Sequence, residues 1–325
     1  MPEFSRRHLL LAGAAFGAAC ALPAMPAILK GGAAERVLVV GGGKAGAAAA
    51  LAERSTRPDA GLLLVERDPT QLRPAAGESL VAGPARGAGF ARLHAAGIEV
   101  AVDEIRDIDW VNGRAGAISG RVFGFDRIVV APGISGRDEG IAGYDGDAAD
   151  FLPHGWFGTA STRRLAAQIR AMADGGTVLI RIPAGRMRFA DGPFARAAEI
   201  AAYLGRNKPA SKVLVLDHGD TGAGRAQRIA GNSDGRIEYI SGREFGAIER
   251  VDAAGRVLFG VHGQVRADVI NFIPAQKAGE IAERAGLADA TGWCPADAGR
   301  KVSCLQPRAI LAGDAAFERE DAIAS

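Results

Sequence analysis

The hydrophobic pattern near the start of the chain alternates between short apolar runs and an alanine-rich stretch. Residues 37–40 form an apolar run of strand length, residues 45–54 favour a helix, and residues 62–65 form a second apolar run that ends at Glu66. Short apolar runs bounded by turn signals are typical of buried strands. This order predicts a strand, a helix and a second strand, the unit from which parallel α/β sheets are built.

A second α/β pattern occupies the middle of the chain. Helices are predicted at 162–173 and 192–207, and strands at 178–182, 211–217, 236–240, 249–260 and 265–273. Because strands and helices alternate again, we expect a second unit with a largely parallel sheet.

Three glycines join the first predicted strand to its helix with the spacing GxGxxG. Gly41 allows a tight turn, Gly43 lets a pyrophosphate approach the backbone, and Gly46 lets the helix pack closely on the strand. Glu66, at the end of the second strand, is placed to accept hydrogen bonds from ribose hydroxyls. The alternative is a glycine-rich turn without a ligand. The motif predicts a dinucleotide site without distinguishing FAD from NAD.

Two later segments favour FAD. An apolar strand within residues 125–135 ends in Ala131-Pro132-Gly133, and a strand within residues 308–316 ends in Gly313-Asp314. Each alone is compatible with an ordinary buried strand and turn. After a dinucleotide motif, the first is typical of the chain passing a flavin, and the Asp314 carboxylate is placed to bind the ribityl chain or a phosphate.

The second α/β unit lacks the glycines of a phosphate-binding loop. Its first strand is followed by Pro183-Ala184-Gly185-Arg186. Proline removes a backbone N–H and fixes φ where glycine would turn. We therefore expect an NAD-like fold that does not bind NAD(P). Arg186 and Arg188 in this loop are predicted to be solvated.

Composition and charge exclude several function classes. The 325 residues carry 39 Lys and Arg against 37 Asp and Glu, a net charge of +2, with no basic stripe for nucleic acid. The five histidines and three cysteines have no metal-ligand spacing, so no metal site is predicted.

The first 34 residues read as an export signal. Ser5-Arg6-Arg7-His8-Leu9-Leu10 is a twin-arginine pattern, and an apolar stretch of small residues follows as far as Leu22. That stretch is too short for a membrane span, which needs about 20 apolar residues. A periplasmic protein, exported folded by the twin-arginine route, is predicted.

Several specific segments resemble the flavoprotein subunit of flavocytochrome c sulfide dehydrogenase, a relative of the sulfide:quinone oxidoreductases. They include VVGGGKAGAAAA (39–50), IAGYDGDAADFLPHGW (141–156), AMADGGTVLIRIPA (171–184), GLADATGWCPAD (286–297) and ILAGDA (310–315). The resemblance implies a Rossmann-like FAD domain interrupted by an NAD-like domain. It also implies sulfide oxidation through a redox cysteine pair, with electrons passed to a c-type cytochrome subunit. His154 and Trp156 match the crossing between domains and are expected to serve packing.

The chain departs from this family at its cysteines. Pro74 stands where the family attaches its flavin, so non-covalent FAD is expected, and Phe189 stands where one redox cysteine belongs. The other belongs to a C-terminal interface domain that is expected to be missing here. Cys294 and Cys304 are interpreted as structural cysteines, as a disulfide pair, or as a replacement nucleophile.

The predicted organisation has four parts: a signal peptide (1–34), a first FAD-binding part (35–150), an NAD-like central domain (151–272) and a truncated second FAD-binding part (273–325). Because the redox cysteines and the C-terminal domain are expected to be absent, we expect no cytochrome-coupled sulfide oxidation by this chain alone and at most slow flavin turnover, and no catalytic residue is assigned. The alternatives are a non-catalytic flavin-binding or interaction module, and an NAD-dependent dehydrogenase that uses the first unit.

Overall fold

The computed structural model of the chain describes residues 35–72, 89–219 and 235–318. Its strands, in chain order, are β1 (Arg36–Val40), β2 (Gly61–Glu66), β3 (Glu99–Val102), β4 (Ile105–Asp109), β5 (Arg114–Ala117), β6 (Val122–Gly124), β7 (Arg127–Val130), β8 (Ile134–Gly136), β9 (Thr177–Ile182), β10 (Lys212–Asp217), β11 (Ile237–Ser241), β12 (Ile248–Asp252), β13 (Val257–Gly260), β14 (Gly263–Arg266), β15 (Val269–Phe272), β16 (Gln276–Ala278), β17 (Cys294–Ala296), β18 (Ala309–Leu311) and β19 (Ala316–Glu318). The helices are α1 (Lys44–Thr56), α2 (Phe90–Ala95), α3 (Ala148–Phe151), α4 (Thr159–Ala171), α5 (Gly192–Asn207), α6 (Gly242–Phe245) and α7 (Glu280–Arg284), with a 3-10 turn at Pro69–Leu72.

The first sheet is parallel and has the strand order β18-β7-β1-β2-β3. Strand β1 is buried on both faces. Leu38 and Val40 pack in one hydrophobic cluster, and Val37 and Val39 pack in another. Successive strand side chains point to opposite faces, so a continuous apolar run fits a sheet that is covered on both sides.

Helix α1 packs on the first sheet through small side chains. Ala47 and Ala50 are fully buried against it. Glu53 is the charged residue on this buried face, and its carboxylate binds Arg127 of β7 at 2.9 Å and Arg57 at 2.7 Å. Since a buried carboxylate needs such partners, both ion pairs stabilise Glu53, and the pair with Arg127 holds α1 against the sheet.

The second sheet is also parallel, with the order β11-β10-β9-β15. The predicted helices of this unit are observed as α4 and α5. Residues 249–260 were predicted as one strand, but they form parts of the antiparallel pair β12 and β13. Arg256 takes a left-handed φ of 54° in the connecting turn, which a continuous strand would not contain. Residues 265–273 likewise divide into the end of β14 and all of β15.

The two sheets are interleaved along the chain. Strands β1, β2, β3 and β7 of the first sheet precede the strands of the second sheet in sequence, and β18 follows them. The predicted α/β fold, with a Rossmann-like unit interrupted by a second α/β unit, is confirmed. The exact domain boundaries remain predictions, and residues 1–34 and 319–325 lie outside the described residues.

Smaller sheets connect these units. Strands β4, β5 and β6 form an antiparallel meander. Strand β8, where the chain leaves the first unit, pairs with β16, where the chain returns to it, and β17 pairs with β19. Among the helices that the structure describes, none has the length and apolar character to cross a bilayer.

Candidate cofactor site

The three glycines of the first turn have three different environments. Gly41 has a φ of +100°, and a Cβ there would overlap the carbonyl oxygen of Ala131. A Cβ on Gly46 would overlap the carbonyl oxygen of Gly41. At Gly43, by contrast, no atom lies within 4 Å of the position that a Cβ would take. Gly41 and Gly46 are therefore required by the fold, whereas no contact within the described residues requires a glycine at position 43.

The N-terminus of α1 opens at the same place. Gly43 is its N-cap residue and supplies no side-chain cap, and the first turn contains no acidic residue. The first N–H groups of a helix lack intrahelical partners, and the helix dipole places partial positive charge there. With the open space at Gly43, this end of a 13-residue helix suits an anionic phosphate group.

Glu66 lies beside the glycine turn, as predicted, and is buried. Its Oε1 accepts a hydrogen bond from the Asp68 N–H at 2.7 Å, and its Oε2 accepts one from the Gly42 N–H. The carboxylate therefore fixes the glycine turn to the end of β2. Because each carboxylate oxygen has a second lone pair, it retains capacity to accept a hydrogen bond from a ribose hydroxyl.

The Ala131-Pro132-Gly133 segment lies on the other side of the turn. Ala131 follows β7 and donates its N–H to the Val40 carbonyl oxygen at 2.8 Å. Gly133 has a φ of +67°, and its carbonyl oxygen accepts the Gly279 N–H at 3.0 Å. A left-handed residue at this point turns the chain away from the sheet edge toward the second unit.

The Gly313-Asp314 turn meets the same edge. It follows β18, which pairs with β7, and Ala312 donates its N–H to the Val130 carbonyl oxygen at 3.0 Å. Gly313 has a φ of +89°, and a Cβ there would come 2.7 Å from the Cβ of Ala45. The turn therefore contacts the first turn of α1.

The structure thus brings together all of the predicted site residues. Gly41, Gly43, Gly46, Glu66, Ala131, Pro132, Gly133, Gly313 and Asp314 lie at or just beyond the carboxyl ends of β1, β2, β7 and β18. This edge is where open parallel α/β sheets bind their ligands. The role of each residue toward a cofactor remains a prediction.

Arg188 is a residue at this site that the sequence analysis misjudged. It was predicted to be solvated, but its side chain is only 15% exposed and its Nε lies 2.7 Å from Asp314 Oδ2. The two atoms are within ion-pair distance, although the Nε–H is not directed at that oxygen. The Arg188 backbone N–H also donates to Gln276 Oε1 at 2.9 Å. The partner lies far away in sequence, so no local pattern reveals this contact.

The loop between β9 and α5 contacts the first unit through more than one residue. Arg186 remains exposed, as predicted, but its guanidinium lies 5.3 Å from the ring centre of Trp293 and 5.0 Å from that of Phe317. Phe189, next to Arg188, is 53% exposed. The loop that binds phosphate in an NAD domain here contacts the predicted flavin edge instead.

The two cysteines of the described residues differ in their exposure. Cys294 and Cys304 are both free thiols, so the disulfide interpretation is wrong for this structure. Burial, with a smaller contribution from Asp289, raises the pKa of the Cys294 thiol to about 12. Since the thiolate is the reactive form, Cys294 is inert at neutral pH. Cys304 is exposed, and within the described residues no cluster of His, Cys, Asp and Glu could hold a metal ion.

The crossing between the units is a buried polar network. Arg196 of α5 donates to the carbonyl oxygens of His154 at 3.2 Å and Gly155 at 2.6 Å, and to Asn271 Oδ1 at 3.0 Å. Its guanidinium also lies 4.9 Å from the ring centre of Trp156. These contacts hold the crossing against the second sheet and agree with the packing role predicted for this segment.

Comparison with known proteins finds one family that is similar to the second unit. The family of the central domain of the sulfide dehydrogenase (flavocytochrome c) flavoprotein chain matches residues 162–274. The resemblance to this flavoprotein is confirmed. The matched residues contain α5 and the loop that carries Arg186 and Arg188.

Solved structures agree with the fold of both units. The sulfide:quinone oxidoreductase from Aquifex aeolicus superposes with a TM-score of 0.64 at 16% identity, covering 87% of this chain and 69% of that one. A ferredoxin reductase from Rhodopseudomonas palustris gives 0.63 at 16%, with 87% and 69% covered. A pyridine nucleotide-disulfide family oxidoreductase from Enterococcus faecalis gives 0.60 at 14%, with 86% and 61% covered. This chain therefore has the fold of the pyridine nucleotide-disulfide oxidoreductases and spans about two thirds of these proteins.

Proposed function

We propose that the protein binds FAD non-covalently and is a flavoprotein oxidoreductase of the sulfide dehydrogenase type. One observation carries the proposal. The open glycine turn at Gly43, the buried Glu66 and the Gly313-Asp314 turn converge on one sheet edge. A ligand that engages all three must be long and must contain a pyrophosphate and a ribose, which describes a dinucleotide.

The described residues fit this cofactor. The N-terminus of α1 would hold the pyrophosphate, because the space beside Gly43 admits it and the helix dipole favours negative charge. Glu66 would accept from the ribose, and Asp314, whose side chain is 40% exposed, would accept from the ribityl hydroxyls. FAD supplies the capacity to take two electrons from a substrate and to release them to an acceptor.

Non-covalent binding rests on the resemblance alone. Pro74, which replaces the attaching cysteine of the family, lies outside the described residues. Acid precipitation of the purified yellow protein is expected to release all the flavin into the supernatant. Flavin that stays with the precipitate would contradict this part of the proposal.

Sulfide oxidation has less support from the residues of this chain than flavin binding has. Phe189 stands where the family has a redox cysteine, and the ion pair of its neighbour Arg188 with Asp314 puts this loop at the flavin edge. A phenyl ring can neither form a persulfide nor pass electrons, and Cys294 is held as an inert thiol. These observations favour a second candidate function, a flavin-binding module that does not oxidise sulfide by itself.

The partner and the location are part of the same proposal. The matched family is the flavoprotein chain of a flavocytochrome, which supports a c-type cytochrome as the electron acceptor. The twin-arginine pattern at residues 5–10 supports export of the folded protein to the periplasm. An NAD-dependent dehydrogenase that uses the first unit is disfavoured because the Ala131-Pro132-Gly133 and Gly313-Asp314 segments, which favour FAD, lie at the same sheet edge as the glycine turn.

One experiment separates the two candidates. The purified protein is loaded with FAD, mixed with sulfide in a stopped-flow instrument and then offered cytochrome c. We expect bound flavin, with slow reduction by sulfide and little cytochrome reduction. Rapid sulfide-dependent turnover would establish the full sulfide dehydrogenase activity and would refute the module. A folded protein that binds no flavin would refute both.

A further inference from the structure

An ion pair joins the second sheet to the segment in which the chain first crosses from one unit to the other. Glu139, three residues after β8, accepts two hydrogen bonds from Arg181 of β9, from Nη1 to Oε1 at 2.8 Å and from Nη2 to Oε2 at 2.6 Å. The side chain of Arg181 is 4% exposed and that of Glu139 is 21% exposed. A bidentate pair of this kind fixes the orientation of both groups as well as their distance.

The same carboxylate binds the segment in which the chain returns to the first unit. Glu139 Oε1 also accepts the Ala275 N–H at 2.8 Å, and the Ala275 carbonyl oxygen accepts the Arg137 N–H at 2.7 Å. Arg181 Nη1 donates in addition to the Ile273 carbonyl oxygen at 2.7 Å. Both crossing segments and the end of β9 therefore meet at Glu139.

The charges of this pair depend on each other. Burial by itself would raise the pKa of Glu139, but the hydrogen bonds and the charge of Arg181 outweigh burial and lower the pKa, so the carboxylate is ionised at neutral pH. The Arg181 guanidinium lies 4.7 Å from the ring centre of Phe272. Removal of Glu139 alone would leave a buried cation without its carboxylate, and this is strongly unfavourable.

These contacts lead to the loop between β9 and α5. Arg181 is the next-to-last residue of β9, so its position sets where the loop begins. Gln276, the neighbour of Ala275, is 3% exposed, and its Oε1 accepts the Arg188 N–H at 2.9 Å. The loop is thus held at its start by Arg181 and further along by Gln276. Glu139 binds the first of these residues directly and the backbone beside the second.

We propose that Glu139 is a positioning residue, which forms a clamp with Arg181 and Ala275 and keeps the loop after β9 at the edge of the first sheet. Through Gln276 the clamp holds Arg188 beside Asp314. The clamp itself does not require a ligand. Its effect on a bound flavin rests on the proposed function, because the pair of Arg188 with Asp314 lies at the predicted flavin edge.

The first test measures hydrogen exchange of the Arg188 amide in the full chain without cofactor, by mass spectrometry of peptides that cover the loop. Glu139→Gln removes the charge and keeps the size of the side chain. The double variant Glu139→Gln, Arg181→Met removes both charges, so it leaves no uncompensated buried cation and guards against a single variant that fails to fold. Glu238→Gln is the matched control, since it breaks the exposed pair of Glu238 with Lys212 within the second sheet.

We expect Glu139→Gln to speed exchange at Arg188 by about tenfold, as for residues coupled in one network, and Glu238→Gln to leave it unchanged. The double variant should regain thermal stability and still show the faster exchange, because stability follows the buried charge whereas the loop follows the clamp. Exchange at the wild-type rate in the folded double variant, or faster exchange in Glu238→Gln as well, would overturn the clamp.

The second test uses the chain loaded with FAD and follows the midpoint potential of the flavin by spectroelectrochemical titration. Arg188→Gln should shift this potential less in the Glu139→Gln background than in the wild-type background, because the loop has already moved away from Asp314. Equal shifts in the two backgrounds would overturn the link from Glu139 to Arg188. A wild-type chain that binds no FAD would overturn the proposed function, whereas the exchange measurement would still decide the clamp.

Discussion

Replacing Gly43 with serine tests whether glycine at this position is needed for ligand binding or for the stability of the fold. Gly43 is the N-cap of α1 with φ −62° and ψ −175°, a conformation open to any residue, and no atom lies within 4 Å of its Cβ position. Serine is a better N-cap than glycine by about a few tenths of a kcal/mol. The fold should therefore be unchanged or slightly more stable.

The same serine should remove FAD binding. Its side chain enters the space through which the pyrophosphate reaches the N–H groups of α1. Each hydrogen bond to a charged group contributes about 1.5–3 kcal/mol. Loss of two such bonds amounts to about 3–6 kcal/mol, which weakens binding by about 100-fold or more. The dissociation constant for FAD is measured by flavin fluorescence, and stability by thermal unfolding of the apoprotein.

Two other glycines serve as controls for Gly43→Ser. At Gly146 a Cβ also meets open space, so Gly146→Ser should change neither stability nor FAD binding. At Gly46 a Cβ overlaps the Gly41 carbonyl oxygen, so Gly46→Ser should lower the free energy of unfolding by about 1–3 kcal/mol. Wild-type FAD affinity in Gly43→Ser, or a large loss of its stability, would refute the assignment of the turn to a pyrophosphate.

Three further predictions follow from single contacts. Glu66→Gln should weaken FAD binding by about 1.5–3 kcal/mol in titrations, less than Gly43→Ser, because the amide oxygen still accepts one of the two backbone N–H groups while the charge and the second acceptor are lost; equal losses would contradict the two roles. Arg188→Gln should lower the midpoint potential of the bound flavin, because it leaves the Asp314 carboxylate uncompensated at the flavin edge; spectroelectrochemical titration should find the potential restored by adding Asp314→Asn, and a double variant no better than the single one would indicate a merely structural role. Iodoacetamide at pH 8 should label the exposed Cys304 and leave Cys294 unmodified, because burial raises the pKa of the Cys294 thiol to about 12 and keeps it protonated; peptide mass spectrometry that finds Cys294 labelled first would contradict this burial.

The strands and helices of both units were largely predictable because they depend on short-range patterns. The run 37–40 became β1, and residues 192–207 became α5 with the same bounds. The prediction failed at 249–260, where the apolar pattern continues through a turn. Arg256 adopts the left-handed conformation there, and only the pairing of β12 with β13 shows that the chain reverses.

The sequence by itself determined the glycine turn and the acid that follows it, because this chemistry lies within residues 41–66 and each part depends on its own neighbours. Only the tertiary structure decided which distant groups share the site. Arg188 reaches Asp314 because the loop after β9 packs against the edge of the first sheet. Such contacts cannot be read from the hydrophobic pattern of the chain. The position of a side chain that pairs across two units depends on how the units pack, and not on the repeat of its own helix or strand.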